Sequence, residues 1–366
     1  MARDGANTAL DEDGRSYINA IGTAVPGHDV HRAFIDWAQG RIEGERERAL
    51  FRRMAERSGI EHRWSVLPPA EGGGSPVEPG GFYGGDAPPT SRRMQIYSEE
   101  APGLALEAIA ALRGQVPVEG VTHLVVASCT GFTAPGIDQI VAEALGIPEA
   151  ERTLVGFMGC YAAVSALRVA HHIVRSEPGA RVLAVTVELS SLHLQDATDV
   201  EPLLAMLQFS DGAAAALVSS DPVGFAIGHN FALSLAGTSS LITWTIGDTG
   251  FAMQLSGEVP ARIGAALQEE EVRARMLGDW RLDEVDAWAV HAGGRSILDS
   301  VEKALALDPA MLAASRDVLA RFGNMSSSTL MFVLAEILRR PEQKRGIALA
   351  FGPGLAAEGF HFERRR

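Results

Sequence analysis

An α/β protein assembled from two halves is the fold class the sequence predicts. Apolar runs of strand length alternate with helical patterns along the whole chain, as expected of sheets covered by helices. The second half repeats the style of the first, although no residue-level repeat is visible. At 366 residues the chain is longer than one simple core needs, which fits two halves sharing an interface.

Residues 1–15 are polar and acidic and are expected to form a disordered tail, leaving halves over 16–221 and 222–366. "INAIGTAVPG" (18–27) reads as a strand and loop, and "RERALFRRMAERSGI" (46–60) as a helix carrying Arg46, Arg48, Arg52, Arg53 and Arg57. Residues 67–90, rich in Gly and Pro, cannot be a regular element; so long a loop in a globular chain is functional or mobile. A helix over 91–114, a strand over 122–128 and a helix over 136–147 follow. An apolar strand from 154 runs into a helix that begins near 160, and strands over 181–189 and 211–220 close the first half.

In the second half, 223–234 and 243–256 read as strands, the latter with a glycine kink, and a helix follows Pro260. A strand over 285–294 leads into a helix over 295–307. A helix over 325–340 starts in serines and ends before Pro341, and 345–354 is a strand into a glycine turn.

The apolar fraction is 46% and the charged fraction 21%, ordinary for a globular protein. No run approaches the roughly 18 apolar residues of a membrane span, and the N-terminus has no apolar leader core. Two cysteines cannot build a disulfide framework, so a reducing cytoplasm is expected. A net charge of −14 argues against a general nucleic-acid binder but leaves room for a small basic pocket.

Cys160 stands in "LVGFMGCYAAV", at the amino end of its helix, where free N–H groups and the helix dipole favour an anion. That setting is expected to lower the thiol pKa and yield thiolate. Gly156 and Gly159 let the backbone turn and leave room beside the sulfur. A buried thiol acting as a small hydrophobe fits the same stretch equally well. His291 ends an apolar strand in "WAVHAGGRS", and Asn324 sits in a glycine-led turn before a helix in "RFGNMSSST". Taken singly, a core histidine and an N-cap asparagine are the ordinary readings. Taken together, Cys, His and Asn each stand where a strand or loop meets a helix.

"VGFMGCYAA", "VHAGGRSILDSVEKAL", "GNMSSSTLMFVL" and "AFGPGLAAE" together resemble the type III polyketide synthases, the chalcone and stilbene synthase family, over about residues 18–363. "SCTGFTAPGID", "DTGFAMQL" and an Ala after His291 lean toward bacterial members. The resemblance implies a thiolase-like fold, two αβαβα halves in a five-layered sandwich, and a homodimer. It implies an acyltransferase that loads an acyl-CoA starter on Cys160, extends it by decarboxylating malonyl-CoA, and releases a pyrone, resorcinol or phloroglucinol-type ring. His291 and Asn324 would stabilise thiolate and enolate. No metal or redox cofactor is implied; coenzyme A thioesters are the substrates.

The same resemblance assigns Arg53, Arg57, Gly293 and Ser296 to coenzyme A. It assigns Phe209, Met253, Cys129, Ser326, His193, Trp244, Gly352 and Gly354 to the substrate cavity and its scaffold. Phe209 matches a gatekeeper phenylalanine, whereas Met253 stands where plant enzymes carry a second aromatic. Cys129 is a rival nucleophile by count, but no helix start is there to ionise it. The "TGFTAPGID" loop is expected at the dimer interface, with Ala134–Pro135 a candidate cis bond. Rival readings are a ketoacyl-acyl carrier protein synthase of the same fold, a Cys/His/Asn hydrolase and a non-catalytic thiolase-fold subunit.

Overall fold

A computed structural model describes residues 15–364. The tail expected over 1–15 therefore lies outside the described residues except for Arg15. In chain order the first half holds β1 (Tyr17–Ala24), β2 (His28–Asp29), α1 (His31–Arg41), α2 (Glu45–Glu56), β3 (Trp64–Ser65), α3 (Thr90–Arg113), β4 (His123–Ser128), α4 (Ile137–Leu145), β5 (Glu151–Gly156), α5 (Ala162–Ser176), β6 (Val182–Leu189), α6 (Val200–Met206) and β7 (Asp211–Ser219). The second holds β8 (Phe225–Ser234), β9 (Ile242–Gly247), β10 (Gly250–Leu255), α7 (Val259–Ala266), α8 (Glu270–Leu277), β11 (Ala287–Val290), α9 (Arg295–Leu305), α10 (Ala313–Phe322), α11 (Ser327–Leu338), β12 (Arg345–Gly352) and β13 (Ala356–Arg364).

One mixed sheet runs in the order β11-β12-β13-β8-β1-β7-β6-β4-β5. The halves meet where β1 pairs with β8 through only Tyr17–Ala226 and Ile18–Phe225. On either side of that seam the layout matches. β1, β7, β6 and β4 correspond to β8, β13, β12 and β11, with two antiparallel contacts followed by a parallel one. The duplication invisible in the residues is thus present in the topology. Residues 243–256, expected as one kinked strand, are instead the hairpin β9–β10, which turns between Gly247 and Gly250. Gly250, at φ +97°, permits the reversal.

The layers follow from which way each strand residue points. Alternate residues of a strand face opposite sides of a sheet. Val125 and Ala127, Ala184, Ala214 and Ala216 pack in the central core with α5 and α11, and so do Ala287, Ala289, Ala348 and Ala350 from the other half. Their neighbours Leu124, Val126, Leu183 and Leu217 face α3 and α4. Trp288, Val290, Ile347 and Leu349 face α7 and α9. The result is the five-layered α/β sandwich of the thiolase fold, with small residues lining the inner layer. Among the described residues, no helix is long and apolar enough to cross a membrane.

Sheet and outer helix touch most closely at Gly22 in β1. A Cβ there would lie 2.2 Å from the Leu112 nitrogen and 2.3 Å from the Ala108 oxygen, both backbone atoms of α3. Gly22→Ala must push α3 off the sheet. Urea denaturation should show a loss of about 3 kcal/mol or more, at the upper end for overpacking.

Candidate active site

Three chain segments deliver the Cys, His and Asn side chains to one tunnel. After β5, the Phe157 N–H donates to the Ser128 carbonyl at 3.1 Å, and Phe157 and Gly159 both take positive φ. This reverses the chain into a 3-10 turn, Gly159–Tyr161, that presents Cys160 just ahead of α5. Only glycine fits at two neighbouring positions. A Cβ on Gly159 would lie 2.5 Å from Pro353, and one on Gly352 would lie 2.6 Å from the Tyr161 ring. The Gly-Pro-Gly turn after β12 therefore packs directly on the cysteine turn. Gly354 contributes its own φ of +70° to that turn and no close contact.

His291 extends β11 by one residue, its N–H donating to the Leu349 carbonyl at 2.8 Å. Asn324 follows Gly323 and is held by backbone bonds to 208–210: its N–H donates to Gln208 O at 2.8 Å, and Ser210 N–H donates to its carbonyl at 2.9 Å. The Asn324 Oδ1 accepts from the Ser326 N–H at 2.9 Å. That fixes the amide orientation, so Nδ2 donates one N–H to the Gly293 carbonyl at 3.2 Å. An amide nitrogen has two donors, and the carboxamide is also a hydrogen-bond partner of the Cys160 thiol, on which it acts against the effect of burial.

Cys160, His291 and Asn324 line a tunnel of about 570 Å³ together with Phe209, Met253, Gly293, Ser296 and Gly352. Beside it lies a cavity of about 90 Å³, whose lining includes His193 and Trp244 and again Phe209 and Met253. Those last two are the shared wall between the spaces. Trp244 and Met253 are cross-strand partners in the β9–β10 hairpin, so the hairpin carries one side of this wall.

Three expectations need correction. The helix start does not make a thiolate here. The exposed part of Cys160 faces the tunnel, and burial pushes its thiol up to about 12. Burial likewise brings His291 down to about 3, and neither ring nitrogen has a hydrogen-bond partner. The resting pair is a neutral thiol and a neutral imidazole, because the desolvation cost of charge here outweighs the dipole of α5. Cys129 lines neither space. Its thiol lies 3.2 Å from the Ser326 hydroxyl, which in turn donates to Cys160 Sγ at 3.7 Å, and burial holds it well above its usual range. Arg53 and Arg57 are exposed on α2 and stand outside the tunnel lining, to which α2 contributes Leu50 and Met54.

Sequence reasoning missed two supporting groups. Buried Arg63 donates through Nη1 to the carbonyls of Met206 at 3.0 Å and Phe209 at 2.9 Å, pinning the segment that carries Phe209 and clasps Asn324. Its neighbour Trp64 adds an N–H bond to Ser210 Oγ at 2.7 Å. Glu188, at the end of β6, accepts from Cys129 N–H at 3.0 Å, Thr130 Oγ1 at 2.8 Å and Ser327 Oγ, and burial raises it to about 6. The "RW" and "VEL" pairs that carry these residues have no local signature of their own.

The family model for the N-terminal domain of chalcone and stilbene synthases matches residues 4–222, and the model for the C-terminal domain matches 230–364. The α-pyrone synthesis polyketide synthase-like Pks18 of Mycobacterium tuberculosis is 34% identical over 287 residues, covering 74% of this chain and 72% of its own. Two solved structures superpose with a TM-score of 0.85. The type III polyketide synthase domain of Steely1 from Dictyostelium is 27% identical and covers 96% of this chain and 99% of its own. PKS-I from the brown alga Ectocarpus siliculosus is 29% identical and covers 96% and 98%.

The buried titratable groups set a pH dependence. Burial lowers His31 and His171 to about 4 and His193 and His291 to about 3, against 6.5 for the unfolded side chains. Below pH 6.5 the unfolded chain protonates them and the folded chain does not. Burial also raises Glu188 and Asp211 to about 6, so the folded chain takes up protons there first. The unfolded state still binds about two more protons near pH 5.5, and stability should fall by about 3 kcal/mol per unit on acidification. Melting temperature followed from pH 7 to 5 checks the sign; a rise would contradict it.

Proposed function

The chain belongs to the chalcone and stilbene synthase family, and on that footing we propose a division of labour among its residues. It is a type III polyketide synthase, an acyltransferase that condenses malonyl-CoA. One observation supports the residue roles most: Cys160, His291 and Asn324, far apart in the chain, line one tunnel that adjoins an inner cavity through Phe209 and Met253.

Cys160 Sγ attacks the starter thioester while His291 takes its proton. The C–S bond to coenzyme A breaks, and the imidazolium returns the proton to the leaving thiolate. Starting from a neutral pair, charge forms only as the thioester arrives, in a site from which water is largely excluded. Malonyl-CoA then occupies the tunnel. As its terminal C–C bond breaks and CO2 leaves, the electron pair moves onto the thioester oxygen, which an Asn324 N–H and an imidazole N–H stabilise. No protein group fixes the His291 tautomer, so either nitrogen can serve. The enolate carbon attacks the acyl group on Cys160, and the thiolate departs. The thiol, imidazole and carboxamide supply every group these steps use, so no resident cofactor is invoked.

The coenzyme A phosphates belong at the tunnel mouth. Gly293 and Ser296 line it, and Arg295, next to Ser296 in the chain, donates to the Arg57 carbonyl at 3.3 Å. A homodimer is supported by β5, an edge strand with Leu154 exposed, and by exposed Phe132 in the loop that carries the cis Ala134–Pro135 bond. Reduced thiols at both cysteines fit a cytoplasmic location.

Purified protein incubated with malonyl-CoA and a panel of acyl-CoA starters, without carrier protein, should release ring products identifiable by mass spectrometry. A pyrone is the first to seek, given the α-pyrone synthesis for which Pks18 is named. Dependence on an acyl carrier protein would return the ketoacyl synthase reading. Asn324→Ala should slow malonyl-CoA decarboxylation by about a hundredfold or more while leaving acyl loading on Cys160 near normal. Met253→Phe should selectively remove longer aliphatic starters and keep acetyl or malonyl use, because a ring replaces a side chain that can swing aside. Each is read from initial rates across the starter panel.

A further inference from the structure

We propose that the Ser75–Pro76–Val77 turn of the glycine- and proline-rich 67–90 segment is the end wall of the inner cavity and sets the longest acyl chain the enzyme accepts. This rests on the reading that the acyl chain on Cys160 extends into that cavity.

The segment has no regular structure, yet it is built as a wall. Ser75, Pro76, Val77 and Tyr83 line the cavity and contribute nothing to the tunnel. The turn is rigid. The Tyr83 N–H donates to the Pro76 carbonyl at 2.7 Å and the Glu78 N–H to the Ser75 carbonyl at 3.0 Å. Gly81 packs so closely that a Cβ would lie 2.6 Å from the Pro76 oxygen, and one on Gly84 would lie 2.0 Å from the Glu78 oxygen. The composition that rules out helix or strand is what permits this close folding.

The turn is also anchored to the rest of the cavity. Tyr83 Oη donates to the Ser191 carbonyl at 2.8 Å, and its ring lies 5.2 Å from the Arg93 guanidinium. Buried Arg93 donates through Nη1 to the carbonyls of Leu192 and Leu194, both at 2.8 Å, and through Nε to Pro88 at 2.9 Å. Ser191 and Leu194 line the same space. Phe34 and Met206 line it as well. A mostly apolar space bounded by an ordered turn suits an aliphatic chain, which gains from each methylene it buries until the wall is met. Ser75 and Pro76 are buried within the turn, whereas Val77 is half-buried and its side chain bounds the space. Val77 is the specificity-determining residue.

The test varies Val77 alone and scores acyl-CoA starters of increasing length, both by kcat/KM for product and by the mass of the acyl group on Cys160. Val77→Trp should lower use of the longest accepted starters at least about tenfold and leave acetyl within about twofold. Val77→Ala should extend the series by at least one longer starter. A length limit unmoved in Val77→Ala overturns the proposal, whatever Val77→Trp does, because a smaller side chain leaves the loop's hydrogen bonds intact. If wild-type enzyme acylates Cys160 and makes product while the limit ignores Val77, the wall alone is wrong. If wild type makes no product from any starter, the reading of the cavity fails and the proposal falls with it.

Discussion

Burial of α5 and α11 between the two halves of the sheet is the constraint on which the rest of the structure depends. Both helices are covered from both sides, and the described side chains of α11 are buried along nearly its whole length. A helix enclosed this way needs close-fitting residues facing it, and strands of both halves supply alanines there, Ala184, Ala214, Ala216, Ala289 and Ala348 among them. Close packing admits one placement of the pair. Because α5 begins just after Cys160 and α11 just after Asn324, fixing the helices brings thiol and carboxamide to one end of the central layer. His291, at the end of β11, reaches the same end from the sheet.

Burial also decides the chemistry. Burial pushes the Cys160 thiol up and the His291 imidazole down, so it works against charge on both candidate groups. An ion pair formed in advance would carry the desolvation penalty continuously. A neutral pair meets it only when an incoming thioester offers an electrophile, and the leaving coenzyme A takes the proton away. Ser326 links Cys160 to Cys129, and Glu188 binds both the Cys129 backbone and Ser327. The floor beneath the nucleophile is therefore one connected polar network.

Much of this was legible in the sequence, and for physical reasons. Strand runs such as 181–189 and 211–220 are apolar because both faces are covered. The three candidate positions stand beside glycines, and at Cys160 close approach at Gly159 and Gly352 excludes any side chain. The β9–β10 hairpin was not legible as two strands, because a single Gly within a run also reads as a bulge. Helices α1, α6, α8 and α10 and strands β2, β3 and β13 were missed; α8 is mostly polar and buries only Met276, so it has no apolar stripe to read. The protonation state was misread, because a helix start announces itself in sequence while depth of burial does not. The loop over 67–90 was recognised as unusual, but only its hydrogen bonds and its place against the cavity show an ordered wall.

Mapping the acyl group is the most direct test of this account. Wild-type protein should be mixed with an acyl-CoA starter, quenched in acid, digested and sequenced by mass spectrometry. The account predicts one thioester, on Cys160, with Cys129 unmodified, and no adduct or product from a folded Cys160→Ala variant. Acylation of Cys129, or products from the Cys160→Ala variant, would contradict it.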